Sequence, residues 1–315
     1  MILVTGASGF LGRNLVTQLS NDGCRLRKIA RSSLKSLGAI GVGDIGYQTN
    51  WGDHLLGVAT VIHLAARVHV MQDQSVDPLA EFRRVNVEGT LNLARQAASQ
   101  GIRRFIFISS IKVNGEFTEL GSLFTAEDVL RPIDPYGISK MEAELGLREI
   151  ASQTGMEVVI IRSPLVYGPG VKANFRNMMS WLYKGVPLPF GAIHNKRSLV
   201  GLGNLVDLII TCIEHPNAAN QVFMVSDDHD LSTTELLAKV ASCMGKKPLL
   251  LPVSPKMLQL GLLVLGKKDF SQRLCSSLQV DISKTKTLLG WRPPISVDEE
   301  LHETVADFLA TKSRK

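Results

Sequence analysis

Three glycines, Gly6, Gly9 and Gly12, separate two apolar patterns at the start of the chain. The run Ile2–Thr5 is typical of a strand buried on both faces, and the spacing of apolar residues over 15–19 is typical of a helix. Glycines placed in this way allow a tight turn and let a pyrophosphate approach the backbone at the helix N-terminus. The pattern predicts a dinucleotide-binding loop, with a glycine turn that binds nothing as the alternative.

Apolar strand patterns and helical patterns alternate along the chain as far as residue 162. The predicted strands are Ile2–Thr5, Leu26–Ile29, Val42–Ile45, Val58–Ala66, Arg103–Ser109 and Met156–Ile161. This alternation predicts an α/β fold of the Rossmann type, a doubly wound parallel sheet. The pattern loosens after residue 162, where we expect a smaller C-terminal lobe that binds the substrate. We assign residues 1–165 and about 200–225 to the dinucleotide-binding domain. Residues 166–199 and 226–315 are assigned to the second lobe.

The end of the second predicted strand indicates which dinucleotide fits. An acidic residue about 20 positions after the glycines binds the ribose 2′-hydroxyl of NAD. Here that place holds Ala30, Arg31 and Ser32. The guanidinium of Arg31 suits a 2′-phosphate, which favours NADP(H) and leaves NAD(H) possible, unless Arg31 is only a solvated loop cation. Asp44 is expected near the adenine.

Tyr136 and Lys140 lie four positions apart in an amphipathic helical run, so they are expected on one helix face. An ammonium near a phenol favours the phenolate, and we therefore expect Tyr136 to exchange a proton near neutral pH. An ordinary surface pair is the alternative. Ser109 and Ser110 end a predicted parallel strand, which is the edge where ligands bind in open α/β sheets.

Composition and local patterns exclude several other classes of protein. The net charge is +6, but the basic residues are scattered, which disfavours nucleic-acid binding. The four cysteines are far apart, as expected for reduced thiols in the cytoplasm. Asp227–Asp230 is interpreted as a solvated loop rather than a metal site, and no signal peptide is expected. Leu258–Leu265 is too short to cross a bilayer, so it is expected to be a buried helix, with a membrane-edge or subunit contact as the alternative.

The order and spacing of these motifs resemble the extended short-chain dehydrogenase/reductases of the nucleotide-sugar epimerase/dehydratase type, over the whole chain. The residues that carry the resemblance are Gly6, Gly9, Gly12, His63–Ala66, Asn86, Ser109, Ser110, Tyr136, Lys140 and Val166–Pro169. The resemblance implies that Ser110 holds the sugar oxygen and that Tyr136 gives or takes the proton. It also implies that Lys140 binds the nicotinamide ribose and lowers the pKa of Tyr136.

The same resemblance implies a set of ligand contacts. The implied cofactor contacts are Gly6, Ser8, Gly9, Phe10, Leu11, Gly12, Arg31, Asp44, Ile45, Leu64, Ala65, Ala66, Asn86, Tyr136 and Lys140. The implied substrate contacts are Arg67, Ser109, Ser110, Asn174 and Arg197. No metal is expected. The chain departs from the family pattern at Asn114, where a Tyr is usual, at Leu165 and at Val200–Leu202.

Residues Ser110–Gly115 resemble a subgroup of bacterial surface-polysaccharide (O-antigen) enzymes, which includes UDP-glucose 4-epimerases and 4-keto-sugar reductases. We therefore expect hydride transfer at C4 of a UDP-hexose or UDP-N-acetylhexosamine. The preferred expectation is NADPH-dependent reduction of a UDP-4-keto-6-deoxy sugar. The alternatives are a 4-epimerase with retained NAD and a non-catalytic nucleotide sensor. The resemblance also implies a homodimer formed through the helices that bear Asn86 and Tyr136.

Overall fold

The structure of the chain, a computed structural model, describes residues 1–68, 77–119, 121–264, 272 and 274–313, without the side chains of residues 262 and 264. Its strands are β1 (Ile2–Thr5), β2 (Leu26–Ala30), β3 (Ile40–Gly41), β4 (Thr60–His63), β5 (Arg104–Ser110), β6 (Glu157–Ser163), β7 (Leu165–Tyr167), β8 (Leu199–Gly201) and β9 (Val222–Met224). Seven of them form one parallel sheet in the order β3-β2-β1-β4-β5-β6-β9. Strands β7 and β8 form a separate two-stranded parallel ribbon.

The strands of the main sheet are connected mostly by helices, as a doubly wound fold requires. The helices are α1 (Phe10–Asn21), α2 (Gly52–Leu55), α3 (Pro78–Arg83), α4 (Thr90–Ser99), α5 (Pro135–Thr154), α6 (Ala173–Tyr183), α7 (Leu202–Glu214), α8 (Thr233–Cys243), α9 (Pro255–Val264), α10 (Ser283–Leu289) and α11 (Val297–Ser313). A π-helical turn, Arg84–Gly89, joins α3 to α4. The predicted fold class is therefore confirmed.

Consecutive residues of the central strands enter opposite layers of the core. Leu3 and Phe105 pack with the helices α4 and α5, whereas Val4 and Ile106 pack with α1 and α7. Strands covered on both faces need apolar residues at every position, which is why they appear as continuous apolar runs in the sequence. A third cluster, built by α6, α8 and α11, forms the core of the region after β7.

Two predicted elements differ from the structure. The third strand is Ile40–Gly41 rather than Val42–Ile45, because Gly43 adopts a φ of 73° and turns the chain away from the sheet. The apolar stretch near residue 260 is helical, but the prediction that it is buried is wrong for Leu260 and Leu263, which are 64% and 55% exposed. Residue 265 of that stretch lies outside the described residues.

None of the helices in the described ranges combines the length and the apolarity that crossing a membrane requires.

Candidate active site

The loop between β1 and α1 has no room for side chains at two of its glycines. A Cβ at Gly6 would lie 2.8 Å from the amide nitrogen of Ala65, and one at Gly12 would lie 2.1 Å from the carbonyl oxygen of Gly6. Gly6 also has a φ of 67°. Gly9 is the N-cap of α1 and offers no side-chain oxygen to the first N–H groups of the helix. These N–H groups and the bare backbone fit the pyrophosphate of a dinucleotide.

The two residues predicted at the adenosine end of the dinucleotide contact each other. The Nε of Arg31 lies 2.9 Å from Oδ1 of Asp44, and the side chains are 79% and 60% exposed. Ile45 is buried beside the π-helical turn, where a Cβ at Gly89 would lie 2.7 Å from its Cγ2. The structure thus places Arg31 and Asp44 together at the sheet edge beside β2, with Ile45 as an apolar wall.

Tyr136 and Lys140 enter the site from the first turns of α5. Asp134 caps this helix by accepting the N–H of Gly137 at 2.7 Å, and Pro135 occupies the first helical position, where its missing N–H is no loss. Lys140 is 3% exposed, and its Nζ donates to the carbonyl oxygen of Ile108 at 2.8 Å. Both residues therefore reach the C-terminal end of β5.

The ammonium of Lys140 is held in an apolar environment. Its Nζ lies 4.3 Å from the ring centroid of Phe107, which is a cation–π geometry. Burial lowers the pKa of Lys140 to about 7, although the carboxylate of Glu144 acts in the opposite direction. The buried site therefore makes the Lys140 amine easier to deprotonate than a lysine in water.

The pKa of Tyr136 is not lowered. Burial raises the pKa of Tyr136 to about 12, the Asp134 carboxylate adds to this rise, and a hydrogen bond with Ser110 opposes it. Desolvation of the phenol dominates in this structure, where the Lys140 ammonium is bound to a carbonyl. That Lys140 lowers the pKa of Tyr136 stays a prediction. At neutral pH the phenol keeps its proton and is ready to donate it.

Ser110, rather than Ser109, presents its hydroxyl at the end of β5. Ser110 caps the following 3₁₀ turn and is only partly buried, beside Tyr136. The Oγ of Ser109 is buried and has no hydrogen-bond partner within the described ranges of the chain. The predicted contact between the Ser109 hydroxyl and the substrate stays a prediction, and the burial of this hydroxyl does not favour it.

Asn86 holds the site together from the π-helical turn. Its Oδ1 accepts the N–H of Arg67 at 2.8 Å, and its Nδ2 donates to the carbonyl of Arg67 and to Oγ of Ser139, both at 3.0 Å. Both amide N–H bonds are therefore used to tie the segment after β4 to α5. The predicted contact of Asn86 with the cofactor stays a prediction, whereas its positioning role is observed.

The ring of Phe82 contacts both Arg67 and Tyr136. Its guanidinium carbon is 5.5 Å from the centroid of Phe82, whose ring meets that of Tyr136 edge-on at 6.0 Å. Asn174 is exposed in the first turn of α6, and Arg197 donates from Nη1 to the carbonyl of Ser276 at 3.1 Å. These last two residues belong to the region after β7, and their substrate contacts stay predictions.

A buried ion pair lies behind the site, and the sequence analysis missed it. Glu144 and Arg162 are 0% and 1% exposed, and Nη2 of Arg162 lies 2.7 Å from Oε2 of Glu144. Arg162 also donates to Oδ1 of Asn114 at 3.2 Å. The sequence contained a signal for this pair, because Arg162 directly follows the apolar run of β6 and Glu144 lies one helical turn after Lys140. Asn114, a departure from the family pattern, is thus a buried structural residue.

The Asp227–Asp230 segment is not a solvated loop throughout. Asp227 is buried, and it accepts hydrogen bonds from Tyr167 Oη at 2.8 Å and from the Gly201 N–H at 2.7 Å. Burial raises the pKa of Asp227, and burial raises that of the nearby Glu300 to about 7. No group of three metal-ligating side chains occurs among the residues that the structure describes.

His63, at the end of β4, is a core residue. Its Nδ1 lies 2.7 Å from Oγ1 of Thr5 and its Nε2 lies 3.0 Å from Oγ1 of Thr90. Burial lowers the pKa of His63 to about 3, so the imidazole stays neutral. Leu64, Ala65 and Ala66 follow it as partly buried residues against the glycine loop.

Comparisons with known proteins show similarity over the length of the chain. The profile of the NAD-dependent epimerase/dehydratase family matches residues 2–226. A curated relative, the UDP-glucose 4-epimerase of Vibrio cholerae, is 50% identical over 99% of this chain and 97% of its own length. The structure of the UDP-glucose 4-epimerase of Thermotoga maritima with UDP-glucose is similar with a TM-score of 0.78 and 24% identity, covering 99% of both chains. That of the UDP-glucuronic acid 4-epimerase of Bacillus cereus with NAD has a TM-score of 0.78 and 20% identity, covering 98% of this chain and 99% of the other.

Proposed function

The chain belongs to the NAD-dependent epimerase/dehydratase family and is an enzyme of the extended short-chain dehydrogenase/reductase type, and on this basis we propose that it acts at C4 of a UDP-sugar. The first candidate is 4-epimerisation of UDP-glucose or UDP-N-acetylglucosamine with a retained nicotinamide dinucleotide. The observation that carries the proposal is that α5 brings Tyr136 and Lys140 to the C-terminal end of β5, where Lys140 donates to the carbonyl of Ile108 and the Ser110 hydroxyl lowers the pKa of Tyr136. The 50% identity to a UDP-glucose 4-epimerase supports the epimerase as the first candidate.

In this proposal three side chains manage the oxygen atom at C4. When bound, a nicotinamide dinucleotide supplies the acceptor and donor of hydride. Tyr136 donates its proton when the carbonyl at C4 is reduced to a hydroxyl. The phenolate takes up the hydroxyl proton when the carbonyl forms, and because the pKa of Tyr136 is raised to about 12, this phenolate is the minor form at neutral pH. The Ser110 hydroxyl holds the same oxygen as charge develops on it. Burial lowers the pKa of Lys140 to about 7, and in its protonated form this residue supplies a positive charge to the site.

The second candidate is the NADPH-dependent reduction of a UDP-4-keto-6-deoxy sugar for polysaccharide synthesis. It needs the same three residues but a released coenzyme. The observation in its favour is Arg31, which stands where NAD-binding members of such folds carry an acid and which is largely exposed. Asp44 competes for the same guanidinium, so a 2′-phosphate would have to displace or share this ion pair.

Coenzyme balance distinguishes the two candidates. We expect purified protein to interconvert UDP-glucose and UDP-galactose, or the N-acetylated pair, without net change of absorbance at 340 nm. With UDP-4-keto-6-deoxy-N-acetylglucosamine and NADPH, the reductase candidate predicts stoichiometric loss of that absorbance. Loss of coenzyme without any interconversion would reject the epimerase. A protein that binds UDP-sugars but does neither would support the nucleotide sensor instead.

Arg31→Asp tests the preference for NADP(H). If Arg31 binds a 2′-phosphate, the ratio of the affinities for NADPH and NADH should fall by about tenfold to a hundredfold, because a charge-assisted contact to phosphate is lost. Titration of both coenzymes by fluorescence measures the ratio. Arg25→Asp makes the same charge change at the other end of β2 and should leave it unaltered. An unchanged ratio in Arg31→Asp would make Arg31 a solvated partner of Asp44 only.

The proposal extends to the organisation of the protein. Residues 1–165 with about 200–225 would bind the dinucleotide, and residues 166–199 with 226–315 would bind the UDP-sugar. The third core cluster, formed by α6, α8 and α11, supports a second lobe of its own. A cytoplasmic homodimer that pairs α5 with the helices around Asn86 follows from the family resemblance. The 53% exposure of Leu145 on α5 is consistent with such an interface.

A further inference from the structure

Lys112 contacts both the Ser110 hydroxyl and Asp134, the residue that caps the helix of Tyr136. It lies in the 3₁₀ turn Ile111–Val113, directly after β5. Its backbone N–H donates to Oγ of Ser110 at 3.3 Å. Its Nζ forms an ion pair with Oδ2 of Asp134 and lies 3.2 Å from Oε1 of Glu116. One residue is thus bonded to the Ser110 hydroxyl by its main chain and to the helix of Tyr136 by its side chain.

Asp134 is the link between Lys112 and Tyr136. Its Oδ1 accepts the N–H of Gly137 and starts α5, which leaves Oδ2 for the ammonium. A carboxylate this close to the phenol disfavours the phenolate, and Asp134 indeed raises the pKa of Tyr136. The side chains of Lys112 and Asp134 are only 25% and 19% exposed, so solvent and salt screen this pair less than they screen a surface pair.

The two backbone segments that Lys112 joins are in direct contact. A Cβ at Gly137 would lie 2.9 Å from the carbonyl oxygen of Lys112, and the N–H of Arg131 donates to the carbonyl of Val113 at 2.9 Å. The spacing between the 3₁₀ turn and α5 is therefore set by the main chain. Removing the Lys112 ammonium should change the charge beside Tyr136 more than it changes this spacing.

We propose that Lys112 is a positioning residue of the site: its amide orients the Ser110 hydroxyl, and its ammonium fixes and neutralises the Asp134 carboxylate next to Tyr136. The role of this arrangement rests on the proposed proton transfer at C4. It adds to the Ser110, Tyr136 and Lys140 set a fourth residue that acts through the other members.

Four other charged residues near this part of the site have partners within the described ranges of the chain. Lys140 donates to a carbonyl of β5, and Arg67 stacks on Phe82. Arg83 of α3 and Glu142 of α5 neutralise each other through contacts of 2.6 Å and 2.8 Å. Replacing Lys112 by an uncharged residue therefore leaves the carboxylates of Asp134 and Glu116 without their cation and changes the electrostatic field at Tyr136 through these two groups.

The test measures the pKa of residue 136 itself. A fluorinated tyrosine, whose phenol is more acidic than that of tyrosine, is placed at position 136 of the full chain and titrated by ¹⁹F NMR. Lys112→Met should raise this pKa by about half a unit to one unit, as expected for a charge several ångströms away at an intermediate dielectric. Lys112→Arg keeps the cation and should restore the original value. Lys284→Met, which removes the partner of Glu127, is the matched control and should not shift it.

Asp134→Asn provides the second arm of the experiment. Asparagine still caps the helix but carries no charge, so the pKa at position 136 should fall. An unchanged pKa in Lys112→Met, or an equal shift in Lys284→Met, overturns the proposal. Lys112→Gln serves in its place if the methionine variant does not fold. The titration needs no substrate, so its outcome is independent of the coenzyme-balance assay.

Discussion

Tyr136→Phe should reduce turnover by about 10³-fold, within the range for loss of a general acid–base group, and should leave the affinity for UDP within about twofold. The phenol is the group that holds a proton beside Ser110, and its raised pKa keeps that proton in place at neutral pH. Phenylalanine preserves the ring and its edge-on contact with Phe82. Single-turnover rates measure the chemical step, and isothermal titration with UDP measures binding.

Tyr183→Phe is the matched control for this experiment. Tyr183 also packs edge-on against a phenylalanine, Phe308, with the ring centroids 6.1 Å apart. Unlike Tyr136, it lies at the end of α6, beside the third core cluster. It should retain full activity. A Tyr136→Phe enzyme that keeps even a tenth of the turnover would show that another group moves the proton, and the proposal of C4 chemistry at Ser110 and Tyr136 would be lost with it.

The parts of this fold that depend on local pattern could be predicted from the sequence. Continuous apolar runs located β1, β4, β5 and β6 to within a few residues, because strands covered on both faces leave few polar positions. The spacing of Ser232 and Glu235 is a local pattern of the same kind, and these residues form a reciprocal capping box at the start of α8. The glycine loop was predicted for the same reason: its steric demand falls on residues adjacent in the chain.

What could not be predicted depends on which distant residues meet. The parallel ribbon of β7 and β8 joins segments more than thirty residues apart, and neither three-residue strand has a pattern long enough to reveal it. The burial of Tyr136 could not be predicted for a related reason. The spacing of Tyr136 and Lys140 indicated proximity along a helix, but burial depends on the packing of other elements, and here burial raises the pKa of Tyr136.

Among the contacts between residues distant in the sequence, the Glu144–Arg162 ion pair has the largest expected effect on stability. Arg162→Met should lower the free energy of unfolding by about 3–5 kcal/mol, because it leaves the Glu144 carboxylate charged and without its partner inside the protein. Glu144→Leu should have a similar effect for the converse reason. Chemical denaturation followed by circular dichroism measures both.

The double variant separates an unpaired charge from a lost packing contact. Glu144→Leu with Arg162→Met removes both charges, so it should be more stable than either single variant, although Asn114 then loses a donor. Arg103→Met is the surface control: its pair with Glu214 is largely exposed and should contribute at most about 1 kcal/mol. If the single variants at Glu144 and Arg162 unfold no more easily than Arg103→Met, water reaches the ion pair in solution. The site would then lack the rigid support that α5 and β6 give to Lys140 and Ser110.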